Sequence, residues 1–110
     1  MKLAIVGSRT LEFANIEDRL PNGVTEIVSG GAKGIDQVAA SYARIHNIKL
    51  TEFRPDYEHF GRAAPLKRNE KIAEYADSAL VFWDGSSRGT KYTIDLFRKK
   101  GKPITVVMQK

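Results

Sequence analysis

No cysteine occurs anywhere in this 110-residue chain, which excludes disulfides and thiolate metal sites. Histidine is nearly as scarce: His46 and His59 are the only two, too few for a histidine-rich metal centre. No metal and no obligatory cofactor is therefore expected. No apolar run approaches the roughly 20 residues that span a bilayer. The apolar start, Leu3 to Val6, is too short for a signal peptide and reads as a buried first strand. The expectation is a cytoplasmic protein with no membrane partner. Internal repeats, low-complexity tracts and linkers are also missing, so residues 1–110 are expected to form one domain. A chain of this length buries somewhat over about 60% of its extended surface, enough for a single core. Hydrophobic content of 42% with 28% charged residues is ordinary for a globular protein.

Acidic residues are outnumbered, 13 against 18, for a net charge of +5. A basic excess raises the question of nucleic acid. The excess is concentrated near the end of the chain, where Lys91, Arg98, Lys99, Lys100, Lys102 and Lys110 face a single acid, Asp95. Arg98-Lys99-Lys100 falls in the last turn of a helix ending near Gly101, where cations complement the helix dipole. Nucleic acid is thus a secondary expectation.

The pattern of the chain is a regular alternation of strand and helix. Leu3 to Val6, Val24 to Ser29, Ile48 to Phe53, Ala79 to Trp83 and Ile104 to Met108 are short apolar or β-branched runs that read as strands. Between them lie helical patterns. Phe13, Ile16 and Leu20 share one face, and Ile35, Val38, Ala39, Tyr42 and Ile45 another. A helix from about Ala63 to Ala76 turns Leu66, Ile72 and Ala76 inward, with Pro65 tolerated in its first turn. A last helix covers roughly Thr90 to Lys100. Such alternation implies parallel strands joined by right-handed crossovers. The expected architecture is an α/β, Rossmann-like three-layer sandwich: a five-stranded parallel sheet of order 3-2-1-4-5 with helices on both faces.

What stands out against that background is three glycine-bearing stretches, each following a strand and preceding a helix. They are Gly7-Ser8-Arg9, Ser29-Gly30-Gly31-Ala32-Lys33-Gly34-Ile35-Asp36 and Asp84-Gly85-Ser86-Ser87-Arg88-Gly89-Thr90. In a parallel sheet all three lie on one edge, at the carboxyl ends of the strands, and the order 3-2-1-4-5 puts the topological switch point between strands one and four. Glycine admits close approach of an anion to the backbone, and the following helix start presents free N–H groups to it. Neither named phosphate motif fits: Lys33 precedes Gly34, so no Walker A is completed, and no Gly-x-Gly-x-x-Gly is present.

The ordered set Gly7-Ser8-Arg9, Ser29 to Asp36, Arg68-Asn69 and Asp84-Gly85-x-Ser87-x-Gly89-Thr90 resembles the SLOG superfamily, best its small YspA-type (cpYpsA-related) branch, over Lys2 to Val107. The superfamily includes the Lonely Guy phosphoribohydrolases, the DNA-processing protein A of natural transformation, and sensor domains for nucleotide-derived signals. The resemblance implies a Rossmann-like fold that binds a nucleotide or nucleic-acid phosphate. Its small branch supplies a ligand class rather than an activity, and homodimers through helices are common among the relatives.

Roles follow as expectations. The N–H groups of Ser8, Gly31, Ala32 and Gly89 are phosphate donors, with the hydroxyls of Ser8, Ser29, Ser87 and Thr90 in support. Gly7, Gly30 and Gly85 let the backbone approach, and Arg9 can fork two phosphate oxygens. Lys33 reads equally as added charge at that helix start or as a solvated lysine. Asp36 has two readings, the complement of the dipole of the helix it begins or a contact to the ligand, the first favoured. Arg68 matches an arginine that faces the site in the Lonely Guy enzymes, and Asn69 can bond a loop carbonyl. Asp84 has two readings, an acceptor for a ribose hydroxyl or base amine, or an Asx turn closing its own loop. Trp83, Phe82, Tyr42 and Phe97 belong to the core, whereas Asp56 to Arg62 is a polar-aromatic loop on the ligand edge, with His59 an exposed histidine. The Lonely Guy motif Pro-Gly-Gly-x-Gly-Thr-x-x-Glu has a counterpart here that ends in Thr93, so its glutamate is missing. Nucleotide binding as a sensing or carrier module is therefore expected, ahead of N-glycosidic hydrolysis and of single-stranded DNA binding.

Overall fold

The computed structural model describes residues 1–8, 16, 19–31 and 34–108. Five parallel strands form the sheet: β1 (Lys2–Gly7), β2 (Glu26–Ser29), β3 (Lys49–Glu52), β4 (Ser78–Trp83) and β5 (Ile104–Met108). Their order is β3-β2-β1-β4-β5, as the alternation of the sequence requires. Register pairs Leu3 with Ile27 on one side and with Ser78 on the other, so β1 is the central strand. It is an α/β, Rossmann-like sandwich.

The helices are α1 (Ile35–Ile45), α2 (Tyr57–Phe60), α3 (Ala64–Tyr75) and α4 (Arg88–Lys99). The expected helix over Phe13, Ile16 and Leu20 falls mostly outside the described residues, though Ile16 is buried in the core. Side chains alternate across each strand. Leu3, Ile5, Leu80 and Phe82 pack on the face that α1 covers, and Ala4, Val6, Ala79 and Val81 on the other face, with Ile72, Ala73, Ile94 and Phe97 of α3 and α4. Phe82 and Phe97 are fully buried, and Tyr42 and Trp83 are partly buried against the same clusters, so these aromatics are core residues.

Two apolar positions depart from expectation. Ile45 ends α1 but is 78% exposed, and Leu66 on α3 is 42% exposed. On α1 the buried residues are Ile35, Asp36, Ala39, Ala40 and Ala43. At about 100° per residue their common direction lies far around the axis from Ile45. Ile35 and the alanines that follow it set the face that meets the sheet. On α3 the buried residues are Ala64, Arg68, Ile72 and Ala73, which turns Leu66 toward the rim.

The segment Asp56 to Arg62 is not an open loop. Asp56 caps α2 by accepting a hydrogen bond from the His59 N–H at 3.2 Å, and His59 Nδ1 lies 2.7 Å from the second carboxylate oxygen. Those contacts hold the Asp56 carboxyl below the usual aspartate range, the His59 backbone N–H being the main cause. A 3-10 turn, Gly61–Ala63, leads into α3.

Candidate functional site

Beyond the carboxyl ends of β1, β2 and β4 lies a half-open cavity of about 450 Å³. That is within the usual range of small-molecule sites, and it opens at the switch point of the sheet. Gly7 and Val6 end β1 at its base, Gly30 and Asp36 form the wall from the β2 side, and Asp84, Ser87, Gly89 and Thr90 form the wall from the β4 side. The third wall is α3, through Pro65, Leu66, Arg68, Asn69 and Ile72.

The β1 end is tight because a Cβ on Gly7 would overlap the Ile35 side chain and approach the Phe82 carbonyl oxygen to 2.8 Å. Glycine is what lets α1 start directly over the strand. Ser8 continues the sheet: its N–H donates to the Phe82 carbonyl at 3.1 Å, so the expected phosphate donor is already committed. Its buried hydroxyl accepts from the Asp84 N–H at 3.2 Å and lies 3.4 Å from the Thr90 hydroxyl, which ties the first loop to the third. Arg9, Ala32 and Lys33 lie outside the described residues.

In the second loop Ser29 is fully buried, and its hydroxyl accepts from the Gly31 N–H at 3.3 Å. Gly31 has φ +68, and a Cβ there would face Arg54 and Glu52, which are not part of the cavity lining. The close-approach position is instead Gly30. A Cβ on it would sit 2.5 Å from Arg68 Nη1 and 2.9 Å from Asp36 Oδ2. Asp36, the acidic residue in the first turn of α1, is 7% exposed and lines the cavity.

In the third loop the Asp84 carboxylate accepts from the N–H groups of Ser86 and Ser87 at 2.9 and 2.8 Å, an Asx turn that closes the loop. Gly85, at φ +87, supplies the left-handed residue this turn needs. The Ser87 carbonyl accepts from the Trp83 indole at 3.0 Å, and its hydroxyl lies 3.2 Å from that of Thr90. Ser87 is the N-cap of α4 but makes no side-chain cap, and the first-turn N–H groups have no intrahelical acceptor. A Cβ on Gly89 would meet nothing within 4 Å.

Arg68 joins the walls. Although mid-helix, it is 8% exposed. Its Nη1 donates to the Gly30 carbonyl at 2.7 Å, and its Nε donates to Asn69 Oδ1, also at 2.7 Å. Asn69 Nδ2 in turn donates to the Gly89 carbonyl at 3.5 Å. A two-residue brace on α3 thus spans the second and third glycine loops. Arg68 had a signal in the sequence beyond resemblance: Ala64, Arg68 and Ile72 are spaced i, i+4, i+8, so a charge stands in the middle of a buried face.

Pro65 and Leu66, which the sequence presents as helix residues and not as site residues, give the cavity its apolar rim. Thr93, at the position of the missing glutamate, lines the cavity, is 2% exposed, and donates its hydroxyl to the Gly89 carbonyl at 3.1 Å. Asp95 is exposed and pairs with Lys91 at 3.0 Å, away from the cavity. Tyr57 and Phe60 of α2 are exposed and do not line it. At the far end of α4, Lys102 Nζ donates to the Ala73, Glu74 and Ala76 carbonyls at 2.7 to 2.9 Å. One of the clustered cations is therefore a cap for α3. Among the described residues no group of acids and histidines could hold a metal ion. No helix described is long and apolar enough to cross a membrane.

Residues 1–60 match the model of the YspA, cpYpsA-related SLOG family. The chain is also 35% identical to the gene 61 protein of Mycobacterium phage D29, over 78% of this chain and 73% of that one. No solved structure matches.

Proposed function

The chain belongs to the YspA, cpYpsA-related SLOG family, and from that premise we propose that it binds a nucleotide or nucleotide-derived ligand as a sensing or carrier module. The observation that carries this reading is the braced cavity at the switch point, where Arg68 and Asn69 hold the Gly30 and Gly89 carbonyls. Pulling the two carbonyls back onto α3 leaves the start of α4, whose first N–H groups have no intrahelical acceptor, as the polar edge an anionic group meets. The apolar rim of Pro65 and Leu66 suits the flat face of a base.

Binding without cleavage is the form of this reading that the residues favour. Loss of a base from a ribosyl centre proceeds through an oxocarbenium-like sugar, which a carboxylate stabilises. The position of the Lonely Guy glutamate holds Thr93, whose proton is bonded to a backbone carbonyl. Asp84 is engaged by the Ser86 and Ser87 N–H groups.

A thermal-shift screen against nucleoside monophosphates, dinucleotides and cyclic nucleotides tests the proposal. A ligand at a hundredfold excess over Kd adds about 2.7 kcal/mol to stability, an easily read shift. A flat response to every nucleotide overturns the binding reading. Release of free base from a bound monophosphate overturns the carrier role and makes the protein a hydrolase.

A further inference from the structure

A second opening lies on the opposite edge of the sheet, at the amino ends of β1, β4 and β5, and encloses about 370 Å³. That volume is at the small end of the range of about 300–1,000 Å³ usual for ligand sites. Leu3 and Leu80 are buried at its base, and Leu20 and Ile104 add to the aliphatic wall. Pro21 and Pro103 also line it, and neither has a backbone N–H to offer. The polar side chains among the described lining residues are Arg19, Ser78 and Thr105. Ser78 is buried, and its hydroxyl already donates to the Met1 sulfur at 3.3 Å. An ordered water needs about three hydrogen bonds, and these walls supply few. Water so poorly held leaves with a gain in free energy when an apolar group takes its place.

Arg19 decides the head group. It is exposed, it is the one charged side chain among the described lining residues, and among the described residues no carboxylate pairs with it. A guanidinium is always charged, and its planar fork matches a carboxylate with two parallel bonds. One cation balances one negative charge, which suits a carboxylate better than a phosphate monoester carrying about two. Wall and charge agree on an apolar acid.

We infer that this opening is a second binding site, which takes a small apolar monocarboxylate with its body against Leu3, Leu80 and Ile104 and its carboxylate on Arg19. The site shares β1 and β4 with the cavity at the switch point, but the two have no lining residue in common. The inference therefore stands apart from the nucleotide reading. Because Arg19 is exposed, its ion pair adds a modest preference, and burial of the apolar body supplies most of the affinity.

Three probes with one apolar tail and different heads test it: hexanoate, hexanol and hexylamine, each titrated into the full chain near neutral pH and followed by nuclear magnetic resonance. Hexanoate is expected to move the methyl resonances of Leu3 and Leu80 while leaving the Gly30 and Gly89 amides in place. It is expected to bind about threefold or more tightly than hexanol, with hexylamine the weakest of the three. In Arg19→Gln, an exposed position where the fold is not at stake, hexanoate is expected to lose that advantage while hexanol binds as before. Silence of the Leu3 and Leu80 methyls up to about 10 mM hexanoate overturns the site. Shifts confined to Gly30 and Gly89 do so as well. Hexanoate and hexanol binding within threefold of each other, or a preference for hexanoate undiminished in Arg19→Gln, overturns the carboxylate assignment.

Discussion

Replacing Gly30 with alanine isolates the brace from every other feature of the loop. Gly30 is not among the glycines with positive φ, so alanine fits the backbone there without strain. On that ground alone Gly30→Ala would stabilise by about 0.4–1 kcal/mol, through a less flexible unfolded chain. Against it stand two side chains, Asp36, whose Oδ2 would lie 2.9 Å from the methyl, and the nearer Arg68. The new methyl would lie 2.5 Å from Arg68 Nη1 and 2.9 Å from Cζ, and the guanidinium must leave the Gly30 carbonyl it now meets at 2.7 Å. A hydrogen bond from a charged donor contributes about 1.5–3 kcal/mol. The difference predicts a net loss of roughly 1–2 kcal/mol, or a fall in Tm of about 5–10 °C for a domain of this size. Thermal unfolding followed by circular dichroism reads the change directly. The reasoning also predicts coupling: in an Arg68→Met background the guanidinium collision is gone and the Asp36 carboxylate, 2.9 Å from the methyl, is what must still shift, so Gly30→Ala should cost clearly less than it does beside Arg68. A Gly30→Ala protein that melts at or above the wild-type temperature, or one equally destabilised with and without Arg68, refutes the argument.

Gly89→Ala is expected to do the opposite to stability, because its methyl meets no atom within 4 Å and alanine gains up to about 1 kcal/mol of helix propensity; the same methyl narrows the cavity, so calorimetry should show weaker nucleotide binding by a more stable protein, and unchanged affinity counts against the site. Lys102→Met removes three charge-assisted bonds to the last carbonyls of α3 and should lower stability by about 2 kcal/mol, seen as an earlier urea midpoint; a wild-type midpoint refutes the cap. Glu26 accepts from the Thr51 hydroxyl at 2.6 Å and the Tyr75 hydroxyl at 2.5 Å, which with Lys49 hold its carboxyl below its ordinary value of 4.5. Its contribution to stability is thus fully present above that value and disappears as pH falls through the lower folded one. Glu26→Gln should flatten the acid limb of a stability–pH profile measured by urea unfolding, and an unaltered limb contradicts the assignment.

β1 and β4 were legible because strands buried on both faces write themselves as short continuous apolar runs, and β5, though half-buried or exposed along its length, runs from Ile104 to Met108 as its β-branched residues imply. β2 begins at Glu26 rather than Val24, the chain before it meeting Met1 through the Thr25 N–H and the Gly23 carbonyl instead of through a strand ladder. Helix faces were less legible. Periodicity weighs Ile45 and Leu66 as core because they are large, whereas close packing on the sheet selects the alanines of α1 and the row Ala64, Arg68, Ile72 of α3. At the site, the three glycine loops and their common edge follow from strand order alone. Which glycine is the tight one does not. Gly30 and Gly31 are neighbours in sequence, and what crowds the first is the guanidinium of a residue 38 positions away together with the Asp36 carboxylate. Commitments of Ser8 N–H and of the Asp84 carboxylate are likewise local geometry that residue type does not encode.

The central place of β1 has a consequence for how the chain comes off the ribosome. Leu3 pairs with Ile27 on one edge, and its other edge waits for Ser78. At about 5–20 residues per second, that second edge stays without its partner for roughly 4 to 15 s after β1 is made. An apolar strand with an open edge is a template for pairing with other chains. The molecule is therefore most vulnerable to aggregation during synthesis, and a change that slows translation between β2 and β4 should lower soluble yield without touching the stability of the finished fold.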